Sequence, residues 1–470
     1  MARTIHNLPN EILAKTLHYL DHKSLKKARL VSHRWAKAGA AGLFRRVYFA
    51  PHHDIMEVFM SITSEPAFAS SVQELVYDAR LFWQYLTDPD AHGDMYRHAV
   101  RPTNEKEYDE ETDTYVQLAE LFGKVVRLEE GPDAYEERAT KSCERYEELF
   151  EEQEEILDEG LDFDFLCDGL QKLPNLNTVT IIQAYPGQKD IVRFQEKLSP
   201  WYERPSLTVW QETLAPTSWS VLAGEATEAP DFSISWDIIE ENPWDWRGVV
   251  NVLKAIALHC PKVINFHYGT HAAPMPMHIL SQKPVFSSMR DIAKNLTCIK
   301  LMTSTLVDDD PDERLEPGSE AYSAIKAILD QAQQLRTLSS NMVSRPRASR
   351  SNFSTATWPR LSVLQLGFMH VDLQTLKGLC HRHEDTLRDL KLIFVALDDM
   401  YKGDTWSIAG KELGSFLRLR SLTLRGLSTY LFADNSTTEE EVGYDIMRWV
   451  PRRLLEVKVL EDIWVEMCHE

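Results

Sequence analysis

Large apolar residues along the first forty positions keep the spacing of helix faces. Leu8, Ile12, Leu13, Leu17 and Leu20 come first, followed by Leu25, Leu30, Val31 and Trp35. The first set steps by four, one, four and three, the rhythm of one helical face, and predicts an amphipathic helix. Pro9 fits its first turn, and Glu11 puts a negative charge near the positive end of the helix dipole. Asp21 and Ser24 interrupt the pattern with capping chemistry, and Ser32 offers a second cap before Trp35. The spacing predicts two or three short helices before residue 50.

From residue 51 the pattern changes to short alternating runs of the form L-x-x-L-x-L. Leu361-Leu364-Leu366, Leu387-Leu390-Leu392 and Leu419-Leu422-Leu424 match well. Val72-Leu75-Tyr77, Leu176-Val179-Ile181, Leu296-Ile299-Leu301 and Leu454-Val457-Val459 match more loosely, and Leu335-Leu338 is a half match. Starts at 335, 361, 387, 419 and 454 are spaced 26, 26, 32 and 35 residues apart, near the 20 to 29 residues of leucine-rich repeats. Tyr322 to Gln334, Leu373 to His381 and Trp246 to Leu258 read as helices between strands. A strand–helix unit cannot bury its apolar face alone, so copies stack. The predicted fold class is α/β: a three-helix N-terminal module at 1–50, followed over 51–470 by an irregular leucine-rich-repeat-like solenoid with long insertions.

A module of about forty residues cannot bury enough surface to fold well by itself. Each large apolar side chain is worth about 1.5–3 kcal/mol when fully buried, and three short helices have too few neighbours to achieve that. Something must cover the excess, either the rest of the chain or a partner. The order LP-x-EIL, L-x-YLD, SL and RLVS-x-RW closely resembles the F-box motif. It is carried by Leu8, Pro9, Glu11, Ile12, Leu13, Leu17, Tyr19, Leu20, Asp21, Ser24, Leu25, Arg29, Leu30, Val31, Ser32, Arg34 and Trp35.

The resemblance implies docking on a Skp-family adaptor, and through it on cullin and RING subunits of a ubiquitin ligase. By the same resemblance Leu8, Pro9, Ile12 and Leu13 face the adaptor. Leu17, Leu20, Leu25, Leu30, Val31 and Trp35 are divided between that face and the module's own core. The basic run Lys23, Lys26 and Lys27 departs mildly from the pattern and is expected to remain solvated. F-box proteins often carry a leucine-rich second domain that selects a protein substrate for ubiquitination. The role implied is that of a non-catalytic receptor, in the cytoplasm or nucleus. Alternatives are a scaffold outside any ligase and a hydrolase or metal-dependent enzyme built on the large domain.

Composition narrows these readings. The chain has 470 residues, 43% hydrophobic and 26% charged, as in a folded protein of a small and a large part. No apolar run reaches the roughly 18 residues of a membrane span, and no secretory signal is expected. Six cysteines without a C-x-x-C pair suit a reducing compartment.

The net charge is −21, and 104–164 holds 23 acidic against 6 basic side chains. That concentration argues against nucleic acid as partner. An acidic insertion is expected at about 104–165, with Tyr135 to Leu157 as an amphipathic helix inside it. Its outer face is either a solvating surface or a dock for a basic partner. A second insertion at about 200–247 holds six of the twelve tryptophans, as loop anchors or as a recognition surface. The stretch 308–313 reads as an exposed acidic loop, and 341–357 as a basic flexible linker.

Candidate chemistry is sparse. The sequence contains no Walker loop, G-x-G-x-x-G, G-x-S-x-G or H-E-x-x-H. Cys380, His381 and His383 lack a second ligand cluster, as do His52-His53 and the group His259, Cys260, His267 and His271. No cofactor or metal is expected. In each L-x-x-L-x-L strand the residue before the last apolar position points away from the leucines. These residues are Thr180, Lys300, Gln365, Lys391, Thr423 and Lys458, with Arg388 nearby. A stripe more basic than its surroundings is expected, suited to an acidic or phosphorylated substrate segment.

Overall fold

The computed structural model describes residues 8–20, 22–79, 81–82, 87–89, 132–182, 247–268, 275–304, 320–343, 357–399, 406–425 and 428–431. The Trp-rich stretch up to residue 246, the acidic loop at 308–313 and the strand predicted at Leu454-Val459 lie outside them. The chain divides into two compact units, residues 1–262 with 270–273, and residues 263–269 with 274–470.

The first unit opens with three helices, α1 (Asn10–His18), α2 (His22–Ala28) and α3 (His33–Leu43). Next come β1 (Arg46–Phe49), α4 (His53–Ser64), α5 (Pro66–Ala69) and β2 (Glu74–Asp78). After them come α6 (Pro132–Glu159), α7 (Leu161–Gln171), β3 (Thr178–Ile182) and α8 (Arg247–His259). Strands β1, β2 and β3 pair in parallel, in that order.

Helix α6 shows what the acidic segment does. Tyr146, Leu149, Ile156 and Leu157 are buried, while Glu144, Glu147, Glu148, Glu151, Glu154, Glu155, Asp158 and Glu159 are exposed. Its buried face also ties down distant chain. Gln153 donates to the Pro51 carbonyl (3.2 Å) and accepts from the Phe82 amide (2.6 Å). Glu152 accepts from the His53 amide (2.8 Å), supplying the N-terminus of α4 with the capping acceptor that His52 does not provide. From residue 132 onward the acidic segment is therefore one packed helix, running into a second.

Asp162 in the first turn of α7 is buried and accepts from Arg247 (2.9 and 3.3 Å) and Asn251 (2.8 Å) of α8. A buried carboxylate needs such partners, and these bind α7 to α8 across 75 intervening residues of sequence or more. Glycine is required where α7 crosses α4: a Cβ on Gly169 would lie 2.0 Å from the Phe59 ring.

The second unit runs β4 (Asn265–Tyr268), β5 (Met275–Pro276), α9 (Met277–Ser281), α10 (Lys283–Ala293), β6 (Cys298–Ser304) and α11 (Glu320–Gln331). It continues with β7 (Thr337–Val343), β8 (Val363–Val371), α12 (Leu373–His381), β9 (Asp389–Asp399), α13 (Trp406–Gly414), β10 (Ser421–Arg425) and β11 (Ser428–Leu431). All its described strand pairs are parallel, in the order β4, β6, β7, β8, β9, β10, with β5 beside β6 and β11 beside β9. Parallel neighbours need crossovers, and α10, α11, α12 and α13 lie between β4 and β6, β6 and β7, β8 and β9, and β9 and β10 in turn. Seven of the predicted alternating runs coincide with strands β2, β3, β6, β7, β8, β9 and β10.

Three expectations shift. Strands β1 and β4 carry no leucine pattern and fall outside the predicted runs. Residues 341–343, assigned to a flexible linker, extend β7. Ser24 lies inside α2 instead of capping it, because that helix begins at His22.

Candidate adaptor interface

The three N-terminal helices enclose a small core and leave an apolar remainder outside it. Leu13 and Leu17, four residues apart on α1, are fully buried, and Leu25 on α2 joins them. Ala40, Leu43 and Phe44 complete the core from α3 and its end. Small residues bring α2 and α3 together: a Cβ on Gly42 would meet Leu25 at 3.1 Å. Pro9 is the N-cap of α1, one residue before the first turn in which its sequence position places it. Ser32 caps α3 by accepting from the Trp35 amide (3.3 Å). Arg34 donates to the Asn10 side chain (2.7 Å) and to the Leu8 carbonyl, so the start of α3 holds the start of α1.

On the other side of these helices Ile12 (46% exposed), Leu20 (38%), Leu30 (87%) and Val31 (54%) face solvent, with Tyr19 at 87%. Among the described residues these are five of the nine large apolar side chains so exposed, gathered within twenty positions. Scattered exposed apolar residues need no explanation, but a concentration of them does. Leu30 and Val31 are held out in the turn between α2 and α3, where their amides bond to the carbonyls of Lys27 (3.0 Å) and Ala28 (3.1 Å). Pro9 is exposed, and Leu8 and Trp35 are half-buried. Lys26 and Lys27 are exposed beside this surface.

The ten candidate residues thus separate into a core set, an exposed set and a margin, a division that periodicity could not make. Leu13, Leu17 and Leu25 belong to the module's own core, although the family resemblance puts Leu13 on the adaptor face. Pro9, Ile12, Leu20, Leu30 and Val31 are outside, and Leu8 and Trp35 lie at the margin.

Within the first unit the module is joined firmly to the segment from β1 to β2. Phe44 stacks on Phe68 at 4.2 Å, and the Arg29 guanidinium lies over both rings at 5.4 and 5.9 Å. Only two residues separate α3 from β1, and the Arg45 carbonyl accepts from the amides of Gln73 (2.7 Å) and Glu74 (3.0 Å). Sequence reasoning missed this junction, since Arg29, Phe44 and Phe68 follow no period.

Of the other candidate groups, His381 and His383 are engaged in structure, and His271 lies outside the described residues. The carbonyl of Leu379 can only accept, so His383 Nδ1 carries the proton and donates to it (2.8 Å). The Trp358 amide can only donate, so Nε2 accepts from it (2.9 Å). Both ring nitrogens are thereby used, the ring stacks on Trp358 at 5.3 Å, and burial lowers its pKa below the ordinary 6.5. His381 pairs with Glu384 at 2.7 Å.

The five described cysteines are unpaired thiols, and burial raises the pKa of each, that of Cys260 and Cys380 to about 12. None is an activated thiolate. Among the described residues no three His, Cys, Asp or Glu side chains are grouped to hold a metal, and no helix is long and apolar enough to cross a membrane.

Of the expected substrate face, Lys300, Gln365, Lys391 and Thr423 fall in one register row of the second unit's sheet. Arg388 does not join them: it precedes β9 and donates to the carbonyls of Leu387 (2.9 Å) and Asp385 (2.6 Å). Lys458 lies outside the described residues.

Residues 5–50 match the family model described as F-box-like. A comparison with curated proteins finds no match for the chain.

Proposed function

We propose that this chain is the substrate-receptor subunit of a cullin–RING ubiquitin ligase. The observation that carries the reading is the exposed set Pro9, Ile12, Leu20, Leu30 and Val31 on a module whose sequence matches the F-box-like family. That set would be covered by a Skp-family adaptor, and the strand–helix part, read as an irregular leucine-rich solenoid, would hold a protein substrate. The chain itself would contribute proximity, presenting the substrate to a charged ubiquitin-conjugating enzyme, while its partners supply the ligase chemistry.

The test is co-purification of the full chain with a Skp-type adaptor, wild type beside I12A/L30A/V31A. These three residues lie outside the core, so the variant keeps its fold. Losing their burial should cost about 3 kcal/mol, roughly a hundredfold in Kd. A variant that binds as tightly as wild type would overturn the reading. Cullin recovered in the same complex distinguishes a ligase subunit from an adaptor-bound scaffold.

A further inference from the structure

Six side chains of the second unit stand in one line across its sheet. His267, Lys300, Ser339, Gln365, Lys391 and Thr423 are successive register partners on β4, β6, β7, β8, β9 and β10. The rows on either side of this line are mostly apolar and buried: Ile299, Leu338, Leu364 and Leu390 before it, and Leu301, Leu366, Leu392 and Leu424 after it, with the buried Ser340 among them. Side chains alternate along a strand, so the line faces away from that core. Lys300 is exposed, Gln365, Lys391 and Thr423 are half-buried, and Ser339 is buried.

Among the described residues none of Lys300, Ser339, Gln365, Lys391 and Thr423 has a side-chain hydrogen bond or ion pair. Nearby cations are occupied instead. Arg388 binds its own turn, and Arg420 holds Asp389, the carboxylate two residues before Lys391, at 2.6 Å. His267 lies 3.7 Å from the Cys298 thiol.

We propose that this line binds an extended peptide segment laid across the strands, with two Asp or Glu side chains about four residues apart, one at Lys300 and one at Lys391. Strands lie about 4.8 Å apart, so two residues three strands apart are separated by about 14 Å, which an extended chain covers in about four residues at roughly 3.3 Å each. Each lysine stands between two polar neighbours, His267 and Ser339 for Lys300, Gln365 and Thr423 for Lys391. A single lysine flanked by hydrogen-bonding groups suits a singly charged carboxylate. The described row contains no arginine fork of the kind that favours phosphate. The inference rests on the receptor reading for where the segment comes from, a substrate, and on the row alone for its chemistry.

The test uses the full chain and a series of immobilised peptides of Gly, Ser and Thr carrying two Glu residues at separations of one to eight positions. Gln pairs and phosphoserine pairs serve as counterparts. Binding should peak at a separation near four and fall about tenfold for the Gln pair. K300E or K391E should cost about tenfold and K300E/K391E about a hundredfold, whereas R388E should stay within about twofold. K300Q/K391Q, which removes charge without reversing it, should also weaken binding by at least about tenfold. Binding indifferent to spacing, binding that survives K300E/K391E, or a phosphoserine pair tenfold tighter than the Glu pair would each overturn it.

Adaptor capture measured on the same preparations separates the two ideas. Intact capture without spacing-dependent peptide binding removes only the row. Spacing-dependent binding without capture removes only the receptor.

Discussion

The N-terminal helices and the strands of the second unit treat their apolar residues in opposite ways. In α1 the buried Leu13 and Leu17 account for one side of the helix, while Ile12 on it and Leu20 just past its end stand in water. Along β8 and β9 the leucines at 364, 366, 390 and 392 are all buried, and what remains outside is Gln365 and Lys391. The first region has more apolar surface than it can cover, and the second has enough neighbours to cover its own. A concentration of exposed apolar side chains is the kind of surface at which interaction sites are found. Where the apolar face is covered, recognition is left to the polar side chains.

The largest effect that sharpens this contrast is a pair of neighbours on one helix. Leu13→Ala should destabilise the first unit by about 2–5 kcal/mol, because it empties a core position. Ile12→Ala should change stability by less than about 1 kcal/mol while weakening adaptor capture. Denaturant unfolding followed alongside adaptor binding reads both, and equal losses of stability would erase the distinction. In the second unit Leu390→Ala should likewise cost about 2–5 kcal/mol, and Lys391→Ala should remain within about 0.5 kcal/mol.

Close packing elsewhere in the first unit gives an intermediate effect. Gly169→Ala places a methyl group against the Phe59 ring of α4 and should cost about 1–3 kcal/mol in thermal or denaturant unfolding.

A smaller effect depends on pH. Burial holds His383 below its ordinary pKa of 6.5, its bond to the Leu379 carbonyl opposes this, and Arg382 reinforces it. The folded chain therefore binds that proton less readily than the unfolded chain. Its contribution to stability is complete above about pH 6.5 and declines as pH falls from there toward the folded-state pKa. His52 acts in the same direction, since burial outweighs the pull of Glu152. The unfolding midpoint should fall between pH 7.5 and 5.5, and His383→Gln should flatten that fall. An unchanged slope in the variant would remove His383 from the account.

The strand runs were legible because alternating leucines survive wherever neighbouring strands bury the same face. The strand at Leu387-Leu390-Leu392, the helix Leu373–His381 and the acidic helix beginning near Tyr135 all stand where the pattern puts them. Strand β1 was not legible, since Arg46–Phe49 has only Val47 and Phe49 fully inside and is too short for a repeat template. Nor did spacing reveal that Glu152 caps a helix 99 residues away, or that Asp162 is the buried anchor of Arg247 and Asn251. To sequence reasoning both were two more acids in an acidic stretch.

For the candidate site, the sequence by itself determined the order of residues that marks the N-terminal module, its helical period and the recurrence of the strands. Those follow from local geometry, 3.6 residues per turn and alternation along a strand. Only the tertiary structure decided which of Ile12 and Leu13 lies in the core, because adjacent residues on a helix share one apolar stripe until a neighbouring helix covers part of it. It also decided that Lys300, Gln365, Lys391 and Thr423 fall in one line. Register between strands is set by how their buried faces pack, and no single strand contains that information.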